Sequence, residues 1–224
     1  MIYFRNIILF SALVSALACK STYTPNTYTF PDPSDTFDKE INIQEKKTYS
    51  INGVSASNEF DGARLNNFTQ INDNTYRATI TPENEPINES SYFCFDIWSE
   101  VEQNITLELH YPNHVHRYIP KLSTDATNWT RMDSTLYDTL KGPDLASLRL
   151  TIKPEKQYVC GQELSNSTHN LEWSQKISNT SPNVRLSTVG TSTLGRPILC
   201  LDIYKNDPKN KPTIIIMSRL HPPE

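Results

Sequence analysis

No run of Lys or Arg occurs anywhere in this chain, and its formal net charge is −4. Neutralising phosphates needs a basic face, so nucleic acid is excluded as an expected partner. Glycine is scarce, 6 residues in 224, and internal repeats and low-complexity tracts are missing. Proline, by contrast, is plentiful at 15, and apolar and charged contents are ordinary for a soluble globular protein. A membrane-spanning apolar run is lacking too. The stretch from Ile7 to Cys19, behind Arg5, is too short to cross a bilayer comfortably and ends in small residues. That pattern is a secretory signal.

Cys19 directly after Ala18 resembles the lipobox of bacterial lipoproteins, in which the cysteine is lipidated and becomes the new N-terminus. The large aliphatic residue usual three places before the cysteine is Ala16 here, with Leu17 displaced by one. An ordinary signal peptide cut nearby is the alternative. Both readings export the mature protein; the lipobox reading places it in a bacterial cell envelope, with attachment to a membrane through a lipid on Cys19. Cys94, Cys160 and Cys200 remain, each within an apolar stretch. An odd count leaves one thiol over in any pairing. Buried thiols are the expectation, because free cysteine packs as a small hydrophobe; a Cys94–Cys160 bridge is the alternative.

After the signal (1–19), residues 20–47 form a polar, proline-marked tether that cannot bury enough apolar surface to order itself. From residue 48 to 160 the hydrophobic period is two. Ile105, Leu107 and Leu109 alternate with polar residues, as do Leu148, Leu150 and Ile152, and Tyr76, Ala78 and Ile80. Tyr92 to Trp98 is nearly continuous apolar. Short strands separated by Asn, Asp, Pro and Ser clusters predict an antiparallel β-sandwich. Residues 165–224 change character. A helical turn or two is expected over Leu171–Ile177, then strands over Val184–Val189, Pro197–Tyr204 and Thr213–Ser218, with a turn at Asn206–Asn210. The unalternated Ile214-Ile215-Ile216 run suits a central strand covered on both faces, as in an α/β sheet.

That run leads to His221-Pro222-Pro223-Glu224. Zinc takes imidazole nitrogen and carboxylate oxygen, and a catalytic zinc has three protein ligands and a water. His221 and Glu224 would be two of them. The prolines disfavour helix at His221 and remove two amide donors, so the pair would be presented from a rigid loop.

The segment from Ser187 to Ile198 resembles the opening of a zinc carboxypeptidase catalytic domain, with Gly190, Ser192, Gly195, Arg196, Ile198, His221 and Glu224 at matching positions. The upstream half resembles the β-sandwich preceding that domain in the cytosolic-carboxypeptidase-like branch, through Phe60–Leu65, Pro82–Asn84, Pro86–Asn88 and Arg117–Ser123. The resemblance implies a mainly β fold, a sandwich followed by the truncated start of an α/β domain. It implies zinc as cofactor and removal of C-terminal residues from peptides or peptide-like substrates. The third ligand (a later His), the general base (a later Glu) and the arginine that grips the substrate carboxylate have no counterpart here. No catalytic residue is therefore assigned within the chain, and residues 1–224 alone are expected not to hydrolyse peptides. The rival class is a non-catalytic exported β-sandwich binding module.

Several other features carry blander readings. His110, His114 and His116 lack a nearby carboxylate or thiolate, and a turn-proximal, solvated pair is expected of the last two. Trp98, Trp129 and Trp173 could form a sugar platform, but large aromatics are more often packing anchors. Arg117 and Asp125 read as loop charges; Arg219, just before the His221–Glu224 pair, is expected either to contact substrate or to sit at the surface beside the pair. The sequons at Asn67, Asn88, Asn104, Asn128, Asn166 and Asn179 are polar loop chemistry if the host is bacterial.

Overall fold

The computed structural model describes residues 29, 43–82, 90–112, 114–139, 142–205 and 212–217. The chain divides into two units, Met1–Asp38 and Lys39–Glu224, and every element named below belongs to the second. Eleven strands build the sandwich: β1 (Thr48–Ile51), β2 (Val54–Ser57), β3 (Asn67–Asn72), β4 (Thr75–Thr79), β5 (Cys94–Ser99), β6 (Gln103–His110), β7 (Lys121–Ser123), β8 (Thr130–Arg131), β9 (Tyr137–Asp138), β10 (Leu145–Ile152) and β11 (Gln157–Cys160). Helix α1 (Ser167–Thr180), β12 (Val184–Thr191) and β13 (Pro197–Ile203) follow.

The strands form one sheet in the order β1-β2-β5-β11-β7-β8 and another in the order β3-β4-β6-β10-β9. All pairs are antiparallel except β4 with β6. Alternation along each strand sends one set of side chains between the sheets. On β10 the buried residues are Ala146, Leu148, Leu150 and Ile152, while Arg149 and Thr151 face solvent. Both sheets feed one core: Val54, Ala56, Phe95, Ile97 and Val159 from the first, Phe68, Tyr76, Ala78, Leu107 and Leu148 from the second. Phe68 and Tyr76 stack with centroids 5.5 Å apart. A mainly β, antiparallel sandwich is thus what the period-two pattern predicted.

One buried charge is compensated within a sheet. Glu108, 4% exposed, accepts from Arg77 Nε at 3.0 Å and Arg77 Nη2 at 2.7 Å across the parallel β4–β6 pair.

Cys94 and Cys160 form a disulfide, correcting the expectation of buried thiols. The two residues are direct partners in the β5–β11 ladder, with Cα atoms 4.0 Å apart. Cys94 turns its own N–H and C=O to Arg64 instead. That makes Cys94–Cys160 a non-hydrogen-bonded pair, the kind whose side chains approach closely. Sequence spacing cannot show such a register. Cys200 is a half-buried free thiol.

Two further expectations are revised. The helix is longer than one or two turns, 14 residues, because Asn166 caps it by accepting from His169 N at 3.0 Å. The expected strand over Thr213–Ser218 is not formed among its described residues. Ile214, Ile215 and Ile216 are 79–90% exposed and lie beside no strand. An apolar run needs a sheet neighbour to become a strand, and none of the described residues supplies one.

Candidate functional site

The hairpin of β12 and β13 carries the motif read from the sequence. Its register shifts between Thr188 and Gly190, so the strand bulges where the motif begins. The connecting turn is closed by Gly195 N to Ser192 O at 2.9 Å and Ser192 N to Arg196 O at 2.8 Å. Ser192 Oγ also accepts from Arg196 N at 3.1 Å. Gly195 has φ +75°, a conformation that side chains other than glycine adopt at a cost. Ser192 and Gly195 are therefore turn-formers.

Arg196 leaves this turn and ties three elements together. Its Nη2 donates to Asp61 Oδ1 at 2.9 Å, and its Nη1 donates to Ser167 Oγ at the start of α1. The guanidinium holds the Asp61 carboxyl below its ordinary range. Asn166 Nδ2 reaches Asp61 O at 3.4 Å. Beside it Gly62, at φ +82°, leaves room for Leu164: a Cβ there would meet Leu164 Cδ1 at 2.7 Å. Asp61, Gly62 and Ser167 were not assigned roles from sequence. The signal available was the Phe60–Leu65 stretch, whose pairing with Arg196 only the fold reveals.

Past β13, residues 212–217 lead toward His221 and Glu224, which lie outside the described residues, as do Cys19, Arg219 and the Asn206–Asn210 turn. The donor set is chemically suited to zinc, one imidazole and one carboxylate. It is two donors, and among the described residues no group of three His, Cys, Asp or Glu side chains gathers to hold a metal.

His114 and His116 are not a solvated pair. His114 is 7% exposed and sits edge-on to Tyr111, ring centroids 5.2 Å apart. His116 Nδ1 lies 2.8 Å from the Tyr111 hydroxyl, with the Phe93, Tyr111 and Tyr137 rings 5.3–6.1 Å away. The cause is the fully buried Tyr111 after β6: the loop folds over it and is fastened by His116 N to Pro143 O at 2.7 Å. Burial lowers the His116 pKa and pushes the Tyr111 hydroxyl well up.

The tryptophans do not form one face. Trp98 carries Lys156 Nζ at 4.4 Å over its ring, and that ammonium also donates to the buried Asp96 at 2.8 Å. Trp129 packs edge-on to Tyr158. Trp173 departs from the packing expectation, being 57% exposed, because α1 buries only the small Ser174. Asp125 serves its own loop, accepting from the Thr127 and Asn128 amides and the Ser123 hydroxyl, which hold its carboxyl far below the ordinary range.

Residues 170–224 match the family model described as zinc carboxypeptidase. The segment that carries the resemblance read from the tail is thus similar to the zinc carboxypeptidase family. The fold is also similar to that of a metallo-carboxypeptidase from Burkholderia cenocepacia, at 14% identity and a TM-score of 0.57, covering 70% of this chain and 41% of that one. A carboxypeptidase A candidate from Shewanella denitrificans OS-217 gives 18% identity and a TM-score of 0.56, with the same two coverages. The chain therefore spans about two-fifths of the length of these structures. No curated protein matches it.

Proposed function

We propose that this chain is the N-terminal part of an exported, zinc-dependent metallocarboxypeptidase that removes C-terminal residues from peptides. The observation that carries the reading is the β12–β13 hairpin, which bears the family motif and is clamped through Arg196 to Asp61 and Ser167. His221 and Glu224 are two of the zinc ligands in this reading. The metal, once bound, would polarise the scissile carbonyl and acidify its water. The sandwich (48–160) is the supporting domain of the cytosolic-carboxypeptidase-like branch, and 165–224 begins an α/β catalytic domain. Exposed apolar side chains support that last assignment. Val189, Leu194, Ile198, Ile203 and the Ile214–Met217 run are all at least half exposed on elements that an α/β layer would cover. The Cys94–Cys160 disulfide supports export, since such bonds persist in oxidising compartments. Lipidation at Cys19 in a bacterial envelope completes the proposal.

Residues 1–224 by themselves are inactive in this reading, because two ligands leave the remaining zinc positions to water. The test is immunoblotting of the native gene product with an antibody to the sandwich, followed by assay of that product for zinc and C-terminal amino acid release. A longer product whose release activity is lost on chelation and on His221→Ala agrees. Release that persists in either case, or from residues 1–224 alone, sinks the assignment. A product of this length without zinc would favour the non-catalytic binding module.

A further inference from the structure

Arg64 bridges to β5 through its main chain: its N–H donates to Cys94 O at 2.6 Å and its C=O accepts from Cys94 N at 3.3 Å. Main-chain polarity alternates along an extended segment, so Ala63 O and Leu65 N face away from β5. Gln44 takes both. Its Nε2 donates to Ala63 O at 2.6 Å, and its Oε1 accepts from Leu65 N at 2.9 Å. A carboxamide carries the donor and acceptor of a peptide unit, and bonding to the residues on either side of Arg64 is what a parallel strand would do. One side chain at the end of the tether thus stands in for a neighbouring strand.

Lys46 grips the same loop at the turn just before. Ala63 N donates to Phe60 O at 3.2 Å, closing a turn whose central residues are Asp61 and Gly62. Gly62 has φ +82°, as a type II turn needs at its third residue. Lys46 Nζ donates to both carbonyls at the base of this turn, Phe60 O at 3.0 Å and Ala63 O at 3.3 Å. The fully buried Asn58 fixes residues 44–47 in turn: it accepts from Lys47 N at 2.7 Å and donates to Glu45 O at 2.8 Å. At the tip of the turn stands Asp61, the residue that receives Arg196.

We propose that Gln44 and Lys46 are positioning residues for the β12–β13 hairpin: residues 44–47 hold the base of the Asp61–Gly62 turn, and the turn holds Arg196. Gln44 acts through Ala63 and Leu65, and Lys46 through Phe60 and Ala63. On a loose turn, the Arg196 contact would have to order the Asp61 backbone as it formed, at an entropic cost. On a turn fastened at both base carbonyls that ordering is already done. Coupling of this kind is reciprocal: lifting residues 44–47 off the sandwich loosens the hairpin, and losing the Arg196 contact loosens residues 44–47. The junction of tether and sandwich is thereby a control point for the start of the proposed catalytic domain. Only that consequence rests on the carboxypeptidase reading. The coupling needs neither zinc nor substrate, so its failure is separable from a failure of hydrolysis.

The test uses the full chain in chelator, with a carbon-detected NMR titration of the Asp61 carboxyl and amide exchange of Leu65 and the hairpin. Lys46 also acts on Asp61 by its charge, so the neutral Gln44 is the cleaner probe. Gln44→Ala should raise the Asp61 midpoint toward 3.8 and speed exchange across β12 and β13 about fivefold or more. The melting temperature should be nearly retained. In an Arg196→Ala background the same substitution should add nothing to hairpin exchange. Arg196→Ala should in return speed exchange of the Leu65 amide, whose acceptor is on Gln44. Faster Leu65 exchange in Gln44→Ala with the Asp61 midpoint and the hairpin unchanged would make the role of Gln44 purely local and overturn the proposal. Should Gln44→Ala not fold, Leu65 exchange left unchanged by Arg196→Ala overturns it as well.

Discussion

Arg196 and Asp61, 135 residues apart in the chain, are joined by a guanidinium–carboxylate contact at 2.9 Å. The contact fastens the hairpin that carries the zinc carboxypeptidase motif to a sandwich loop, with Ser167 as its third member. Both side chains are more than two-fifths exposed, so the clamp fixes position more than it adds global stability.

Arg196→Ala should therefore leave the melting temperature nearly unchanged while amide exchange across β12 and β13 speeds several-fold. Asp61 contributes in the same local sense. Its carboxyl titrates below the ordinary value of 3.8, so the stabilisation is present above that value and is lost as pH falls through the lowered one. Exchange measured at pH 6 and pH 3 should show protection of the hairpin declining at the lower pH. Uniform loss of protection over the whole sandwich in Arg196→Ala would contradict a local role.

The Cys94–Cys160 bridge closes a separation of 66 residues. Chain-entropy reasoning gives it about 4 kcal/mol. Urea unfolding with and without reductant should differ by that order, and the double Cys94→Ala, Cys160→Ala variant should match the reduced protein. In the mature oxidised protein, whose Cys19 sulfur carries the proposed lipid, Cys200 should be the titratable thiol. Three reactive thiols in the native state would remove the disulfide.

His116 makes stability fall on the acid side. Its pKa is lowered by burial from 6.5, so the folded state resists the proton that the unfolded chain accepts. The sign follows: stability is fully present above 6.5 and declines as pH drops below it toward the lowered folded value. The urea midpoint should decrease between pH 7.5 and pH 5. His116→Phe should flatten that dependence, whereas an unchanged slope would assign it to other groups.

Limited proteolysis should separate the two parts of the second unit. Residues 165–224 should be cut first, starting in the 212–217 stretch, whose apolar side chains have no covering layer among the described residues. The sandwich should persist as a resistant fragment because its core and disulfide close it. Equal resistance of both parts would show that the tail is covered in solution.

Local chemistry settled much of this protein. Alternation at Ile105–Leu109 and Leu148–Ile152 specified strands and their buried faces, because a period of two leaves one face to bury. The spacing of Gly190, Ser192, Gly195 and Arg196 marked the motif, because a turn needs a positive φ and a short hydroxyl at fixed positions. Tertiary structure decided the rest. The Cys94–Cys160 bond depends on the β5–β11 register, the burial of His114 and His116 on a loop folding over Tyr111, and the partner of Arg196 on a loop 135 residues earlier. The Ile214–Ile216 run shows the same division from the other side: its composition suits a buried strand, but only a neighbouring strand could make it one. Distant contacts of this kind are set by how two sheets and their loops meet, and no local period in the chain records them.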